Sequence, residues 1–150
     1  SNKRKGDFKM NKPMGILMIV LALVIAIVPI FTDCLANGRS LTTADGMSVP
    51  MKCHWTAIAE IGLAVPLALL GVFNFTSKRK ETFRTLNLVS LTLGALVILF
   101  PTVLIGVCAN PMMECNMIEK PTLILSGILV IGASLITLVT SRNFIETAAA

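Results

Sequence analysis

The sequence has 150 residues, of which 55% are hydrophobic and 14% are charged, with a formal charge of +5 and a mean hydropathy of +0.82. Soluble domains average about 45–50% apolar and about 25% charged residues, and a soluble fold this short cannot bury so much apolar surface. The composition therefore excludes a soluble globular domain and predicts a membrane protein. The basic residues stand at the ends of apolar runs and form no nucleic-acid-reading surface, so no nucleic-acid partner is predicted.

Four apolar runs are each long enough to cross a bilayer, which takes about 20 residues. They cover approximately residues 14–32, 55–75, 86–107 and 121–140. None alternates polar and apolar residues as a barrel strand does, and a helix satisfies its own backbone in lipid. The first run is longer than the usual apolar core of a signal peptide and lacks an Ala-x-Ala cleavage site, so we expect a retained span. We predict an all-α polytopic membrane protein, a four-transmembrane-helix bundle forming a single membrane domain over residues 1–150.

The distribution of Lys and Arg predicts the orientation of the spans. Ten of the thirteen lie in the two tails and the loop 76–85, whereas the loops 33–54 and 108–120 hold three. Because basic residues favour the cytoplasmic side, both termini and the loop 76–85 are predicted to be cytoplasmic. We therefore expect a multi-pass protein of the cell membrane with loops 33–54 and 108–120 outside.

Each half of the chain has a proline near the outer end of one run, then a cysteine, a loop, Pro-Met and a second cysteine that opens the returning run. Both halves start and finish on the cytoplasmic side, so the repeat is parallel. The pattern favours two tandem helical hairpins. It places all four cysteines, Cys34, Cys53, Cys108 and Cys115, at the outer end.

Three interpretations of the four cysteines are open. The leading interpretation is that the cysteines form disulfides, which are common outside the cell. The simplest pairing closes each loop on itself, Cys34 with Cys53 and Cys108 with Cys115. The alternative pairs Cys34 with Cys108 and Cys53 with Cys115, across the repeat. The second is a membrane thiol–disulfide oxidoreductase that passes electrons to quinone, although no Cys-x-x-Cys pair is present. The third is Cu(I) binding, for which Met51, Met112 and Met113 are weak candidate ligands. No catalytic residue, metal or cofactor is predicted.

The segment 50–60 holds the sole His and the sole Trp of the chain, and an acidic residue inside a predicted span. Trp55 suits a membrane interface, and His54 is a candidate pH-sensitive contact. Glu60 follows Cys53 by seven residues, so both project from nearly the same helix face. An ionisable group within a span usually faces a partner or the bundle interior. His54, Trp55 and Glu60 are therefore the candidate contact residues.

The stretch Pro-Met-Lys-Cys-His-Trp-Thr-Ala at 50–57, with Cys108, the Met-Glu-Cys at 113–115 and the Lys-Pro at 120–121, resembles an uncharacterised family of small four-span bacterial membrane proteins. That family is associated with MacB-like ABC transporters, so the resemblance implies an accessory subunit beside an ABC-type permease. The predicted function is thus a non-enzymatic accessory or interaction subunit of a membrane complex, with the lipid bilayer and a larger membrane protein as partners. The oxidoreductase and the Cu(I)-binding protein are the alternatives.

Overall fold

The fold is an all-α bundle of four helices, as predicted from the four apolar runs. A computed structural model describes the backbone of residues 2–77 and 79–149 and the side chains of residues 12–77, 79 and 81–140. Each helix contains a segment long and apolar enough to cross a membrane. The helices are α1 (Asn2–Thr32), α2 (Lys52–Thr76), α3 (Lys80–Leu99) and α4 (Lys120–Ala149).

The bundle consists of two hairpins, because α1 packs chiefly on α2 and α3 packs chiefly on α4. The two helices of each hairpin pack closely where a glycine of one helix contacts a glycine of the other. A Cβ on Gly71 would lie 3.1 Å from the carbonyl oxygen of Gly15, and a Cβ on Gly127 would lie 2.9 Å from that of Gly94. Small residues let helix backbones approach closely in lipid, where no hydrophobic effect drives helices together.

An apolar layer fills the middle of the bundle, and its largest members are at most 1% exposed: Met18, Ile25, Leu67, Val97, Leu123 and Val130. Many large apolar side chains point outward instead, as expected where lipid is the solvent. We call the end of the bundle that carries the loops 33–54 and 108–120 the outer end, after the predicted orientation, and the buried layer lies below it. The polar and sulfur-containing groups of interest lie beyond this layer, toward the loops that carry the cysteines.

The two outer loops differ in structure. The first contains a small antiparallel hairpin of β1 (Leu41–Thr42) and β2 (Ser48–Val49), which the all-α prediction did not include. Its turn uses Gly46 at a φ of +80°, a conformation that is costly for residues with a side chain. The second loop is short and lies between two π-helical turns.

The first π-turn (Phe100–Leu104) extends α3, and the second π-turn (Cys115–Glu119) leads into α4. The first contains Pro101, which cannot donate a backbone hydrogen bond; it ends where the amides of Ile105 and Gly106 both donate to the carbonyl of Phe100. Single π-turns often occur at functional sites because they re-aim side chains. Here they flank the segment that carries Cys108.

Candidate metal centre

The outer end of the bundle brings all four cysteines into one cluster. Their four Sγ atoms lie within 4.8 Å of one another. The Sγ of Cys108 is 3.2 Å from that of Cys53 and 3.7 Å from that of Cys34, and the Sγ atoms of Cys34 and Cys115 are 3.6 Å apart. Cys34, Cys53 and Cys115 are buried and Cys108 is half-buried. We refer to these four residues as the cysteine cluster.

Cys34 and Cys53 are held by the first hairpin. Cys34 follows the end of α1, where the backbone turns and the amide of Arg39 donates to the carbonyl of Cys34 at 2.8 Å. Asp33 supports this turn because its Oδ1 accepts from the amide of Leu35 at 3.2 Å. Cys53 lies in the first turn of α2 and is fully buried. The two thiols therefore approach the cluster from adjacent helix ends.

Cys108 and Cys115 are held by the second hairpin. Gly106, at a φ of +80°, ends the first π-turn and starts the segment that carries Cys108. Thr56 of α2 donates to the carbonyl of Gly106 at 2.7 Å, and Asn116 donates to the carbonyl of Cys108 at 3.3 Å. Cys115 opens the second π-turn and is fully buried. The bond from Thr56 fixes the second hairpin against the first beside the cluster.

Two methionine thioethers adjoin the thiols. Met51 and Met113 pack against the cluster, and the Sδ of Met51 lies 3.8 Å from the Sγ of Cys108. Met112, the third weak candidate ligand, is 78% exposed and is not part of this packing. The structure thus brings two of the three predicted methionines to the cysteines.

The thiols outside the spans differ in acidity. Burial raises the pKa of the Cys34 thiol. Burial also opposes ionisation of Cys108, but hydrogen bonds from Cys53, Cys115 and Cys34 outweigh it and lower the pKa of the Cys108 thiol. A thiolate at Cys108 is therefore stabilised by its neighbours, which favours both metal binding and nucleophilic attack.

The predicted disulfides are not supported, since all four cysteines are free thiols. The shortest separation of 3.2 Å exceeds the S–S bond length of about 2.05 Å. The described sulfur contacts also join the two hairpins, Cys34 to Cys108 and Cys115, and Cys53 to Cys108, because the hairpins converge at their outer ends. Because all four Sγ atoms lie within 4.8 Å of one another, the arrangement favours neither the pairing within each loop nor the pairing across the repeat.

The separations match a tetrahedral site for a single metal ion. Zn–S bonds of about 2.3 Å place the four sulfurs of a tetrahedral site about 3.8 Å apart. A cluster of several iron ions requires wider spacing of its cysteine sulfurs, because bridging sulfides lie between the metals. The cysteine cluster therefore has the size and donor set of a mononuclear thiolate site, such as those that hold Zn²⁺.

The contact residues predicted from the segment 50–60 lie in different environments. His54 Nδ1 is 2.7 Å from Asp33 Oδ2, which joins the start of α2 to the end of α1. Its ring packs edge-on against Trp55 with centroids 5.8 Å apart, and Trp55 is 55% exposed. Trp55 thus faces outward at a helix entrance, while His54 pairs within the chain.

Glu60 is fully buried on the α2 face that also carries Cys53 and Thr56. Neither of its carboxyl oxygens has a hydrogen-bond partner among the described residues. Glu119, which closes the second π-turn, is also fully buried. Its Oε2 lies 3.2 Å from Thr32 Oγ1, whose single hydroxyl hydrogen is shared with the carbonyl oxygen of Val28 at 2.9 Å. Its Oε1 is unpartnered among the described residues.

Sequence reasoning did not single out Asp33, Glu119 or Thr32. Glu119 was assigned to the outer loop 108–120, where a carboxylate needs no explanation, whereas the structure begins the helical segment at Cys115. One signal was present: an acidic residue follows the second cysteine of each hairpin, by seven residues in the first and four in the second. The π-turn, which widens the helix between Cys115 and Glu119, has no such signature.

The model of a domain of unknown function, DUF4418, matches residues 15–140 of the chain. The chain belongs to the DUF4418 family. No curated protein and no solved structure matches it significantly.

The matched part of this DUF4418 chain contains the four cysteines, Glu60 and Glu119. The description of the DUF4418 family names no activity, so it agrees with the predicted membership of an uncharacterised family. The association with MacB-like transporters stays a prediction.

Proposed function

We propose that this protein binds one thiophilic metal ion, with Zn²⁺ as the leading candidate, in a site at the outer end of the bundle formed by Cys34, Cys53, Cys108 and Cys115. The observation that carries the proposal is the convergence of four sulfurs within 4.8 Å at the meeting point of two hairpins. Tetrahedral sites with four sulfur ligands hold zinc or iron. Binding a metal there would also join the hairpins, since each contributes two ligands.

The four-helix bundle is a multi-pass membrane architecture, and the charge distribution supports its orientation. Ten basic residues on the side of the termini against three in the cysteine-bearing loops favour cytoplasmic termini. The proposed metal centre therefore belongs at the outer surface of the cell membrane. A metal there is accessible from outside without crossing the bilayer.

Cobalt binding tests the metal centre. Co²⁺ substitutes for Zn²⁺, and four thiolates give it intense charge-transfer absorption together with the visible bands of tetrahedral cobalt. We expect the reduced full-length protein in detergent to take one Co²⁺ per chain and to lose these bands when Zn²⁺ displaces it. The Cys53→Ser variant should weaken Zn²⁺ binding by more than about 100-fold, because changes in the outer shell alone cost about 10–100-fold.

A matched sulfur variant controls this experiment. Met112 is 78% exposed and outside the cluster, so Met112→Leu should leave the cobalt spectrum and the stoichiometry unchanged. Cobalt bands that persist in Cys53→Ser, or a wild-type protein that binds no Co²⁺ under reducing conditions, would contradict the proposal.

The thiol–disulfide oxidoreductase is the second candidate, supported by the contact between Cys108 and Cys53. Cys108 is half-buried with a lowered thiol pKa, and Cys53 lies 3.2 Å away as a resolving thiol. Joining these two thiols in a disulfide releases two electrons and two protons, which a quinone would accept. Quinone-dependent oxidation of a dithiol substrate, lost in Cys108→Ser, would favour this function over metal binding.

The accessory role beside an ABC-type permease stays a prediction from the resemblance. The metal centre is compatible with that role, because a small subunit with an outer metal site suits a partner that moves substrates across or out of the membrane. The exposed Trp55 lies on the outward surface near this centre.

A further inference from the structure

Two acidic side chains lie inside the bundle, directly inward of the cysteine cluster. Glu60 and Glu119 are both 0% exposed, and both belong to helical segments that span the membrane. A buried carboxylate is costly unless it is paired or coordinates a metal, and an ionisable residue within a span usually marks a functional site. Their presence therefore requires a specific explanation.

The described residues offer these carboxyl groups few hydrogen bonds to offset the cost of burial. Both oxygens of Glu60 and the Oε1 of Glu119 lack hydrogen-bond partners among the described residues. Among the described side chains, Thr32 alone donates to these carboxyl groups, through an Oγ1 hydrogen that Glu119 Oε2 shares with the carbonyl oxygen of Val28. The ion pair of His54 with Asp33 does not include Glu60 or Glu119. Glu60 projects from α2 and Glu119 from the segment that leads into α4, and the bundle interior encloses both side chains.

The register of the helices aligns these groups with the cysteines. Glu119 follows Cys115 by four residues across the second π-turn, and Glu60 follows Cys53 by seven residues, which corresponds to about 10 Å of α-helix. Farther inward, the apolar layer that includes Leu67 and Leu123 closes the interior. The carboxyl groups thus occupy a confined position between the cysteine cluster and the apolar layer.

We propose that Glu60, Glu119 and Thr32 form a second cation site, which binds a divalent metal ion through oxygen ligands on the membrane side of the cysteine cluster. The unpartnered carboxyl oxygens are the ligands that such an ion requires. Zn²⁺ accepts both thiolate and carboxylate ligands, so the same ion can occupy either site. This inference goes beyond the proposed function, and its probe does not depend on the cysteines.

Manganese binding tests the second site, because Mn²⁺ prefers oxygen ligands and gives an electron paramagnetic resonance signal. We expect the full-length protein in detergent to bind one Mn²⁺ per chain at this site. Glu60→Gln and Glu119→Gln should each weaken that binding by at least about tenfold, by analogy with the loss of supporting ligands in metal sites. Glu81→Gln, which changes an exposed carboxyl group, is the matched control and should bind Mn²⁺ as the wild type does.

The two metal sites are separable in the same experiment. Cys108→Ser should keep the Mn²⁺ signal while weakening the cobalt charge-transfer bands, and Glu60→Gln should keep the cobalt bands while weakening Mn²⁺ binding. Equal Mn²⁺ binding by the wild type and the Glu60→Gln/Glu119→Gln double variant would overturn the second site and leave the cysteine site intact.

An infrared measurement on the wild type avoids dependence on the variants. Mn²⁺ should remove the carbonyl stretch of any protonated buried carboxyl group and increase the carboxylate bands. A protonated carboxyl signal that Mn²⁺ leaves unchanged would show that Glu60 and Glu119 hold protons instead of a metal ion, and would also overturn the proposal.

Discussion

At the scale of single residues, the chemistry is concentrated in side chains whose partners are distant in sequence. Cys34 and Cys115 are 81 residues apart, and Thr32 and Glu119 are 87 residues apart, yet each pair is in contact. The sequence identified the four cysteines and Glu60 as the residues of interest. It did not predict that all four thiols converge, because no two of them have the short spacing of a local metal motif.

Cys108 should react with alkylating reagents before Cys34 does. The pKa of the Cys108 thiol is lowered and that of the Cys34 thiol is raised. When the pH is increased, Cys108 therefore ionises before Cys34. The thiolate is the nucleophile, and Cys108 is also less buried. Mass spectrometry of reduced, metal-free protein after brief iodoacetamide treatment across a pH series should therefore find Cys108 modified first. Modification of Cys34 at lower pH than Cys108 would contradict the assigned acidities.

At the scale of elements, the helices of the two hairpins were predictable because each is specified by a long run of apolar residues. Runs of about 20 apolar residues specify spans regardless of packing detail. The π-turns and the small β-hairpin were not predictable in this way, since each depends on a few residues and on contacts with the other loop. The early start of the helical segment at Cys115 follows from one of these turns, and it buries Glu119, which falls in the predicted loop 108–120.

The glycine contact between α3 and α4 should be essential to the second hairpin. A Cβ on Gly127 would lie 2.6 Å from Ile98 Cγ1 and 2.9 Å from the backbone oxygen of Gly94, so the helices would have to separate. We expect Gly127→Ala to destabilise the folded protein by about 1–3 kcal/mol, the usual cost of overpacking. Thermal unfolding in detergent measures this loss.

Gly132 on the same helix is the matched control for this substitution. A Cβ there meets no atom within 4 Å, so only the helix propensity changes. Gly132→Ala should leave stability unchanged or raise it by up to about 1 kcal/mol. Equal unfolding temperatures for the Gly127→Ala and Gly132→Ala proteins would contradict the close packing of α3 on α4.

At the scale of the whole molecule, the bundle places a sulfur site, an acidic pair and an apolar layer in order from the outer end inward. This order follows from convergence of the two hairpins, each of which contributes two cysteines and one buried glutamate. Composition predicted the four spans, whereas the orientation that the charge distribution favours stays a prediction. The site itself required knowledge of how one hairpin packs against the other, which composition does not encode.

X-ray absorption at the zinc edge most directly tests the central claim that the four cysteines bind one metal ion. The measurement uses full-length protein purified under reducing conditions, without chelator, and loaded with one Zn²⁺ per chain. We predict four sulfur neighbours at about 2.3 Å from the zinc. A zinc shell dominated by oxygen or nitrogen, or cysteines recovered as two disulfides that exclude the metal under these conditions, would contradict the account.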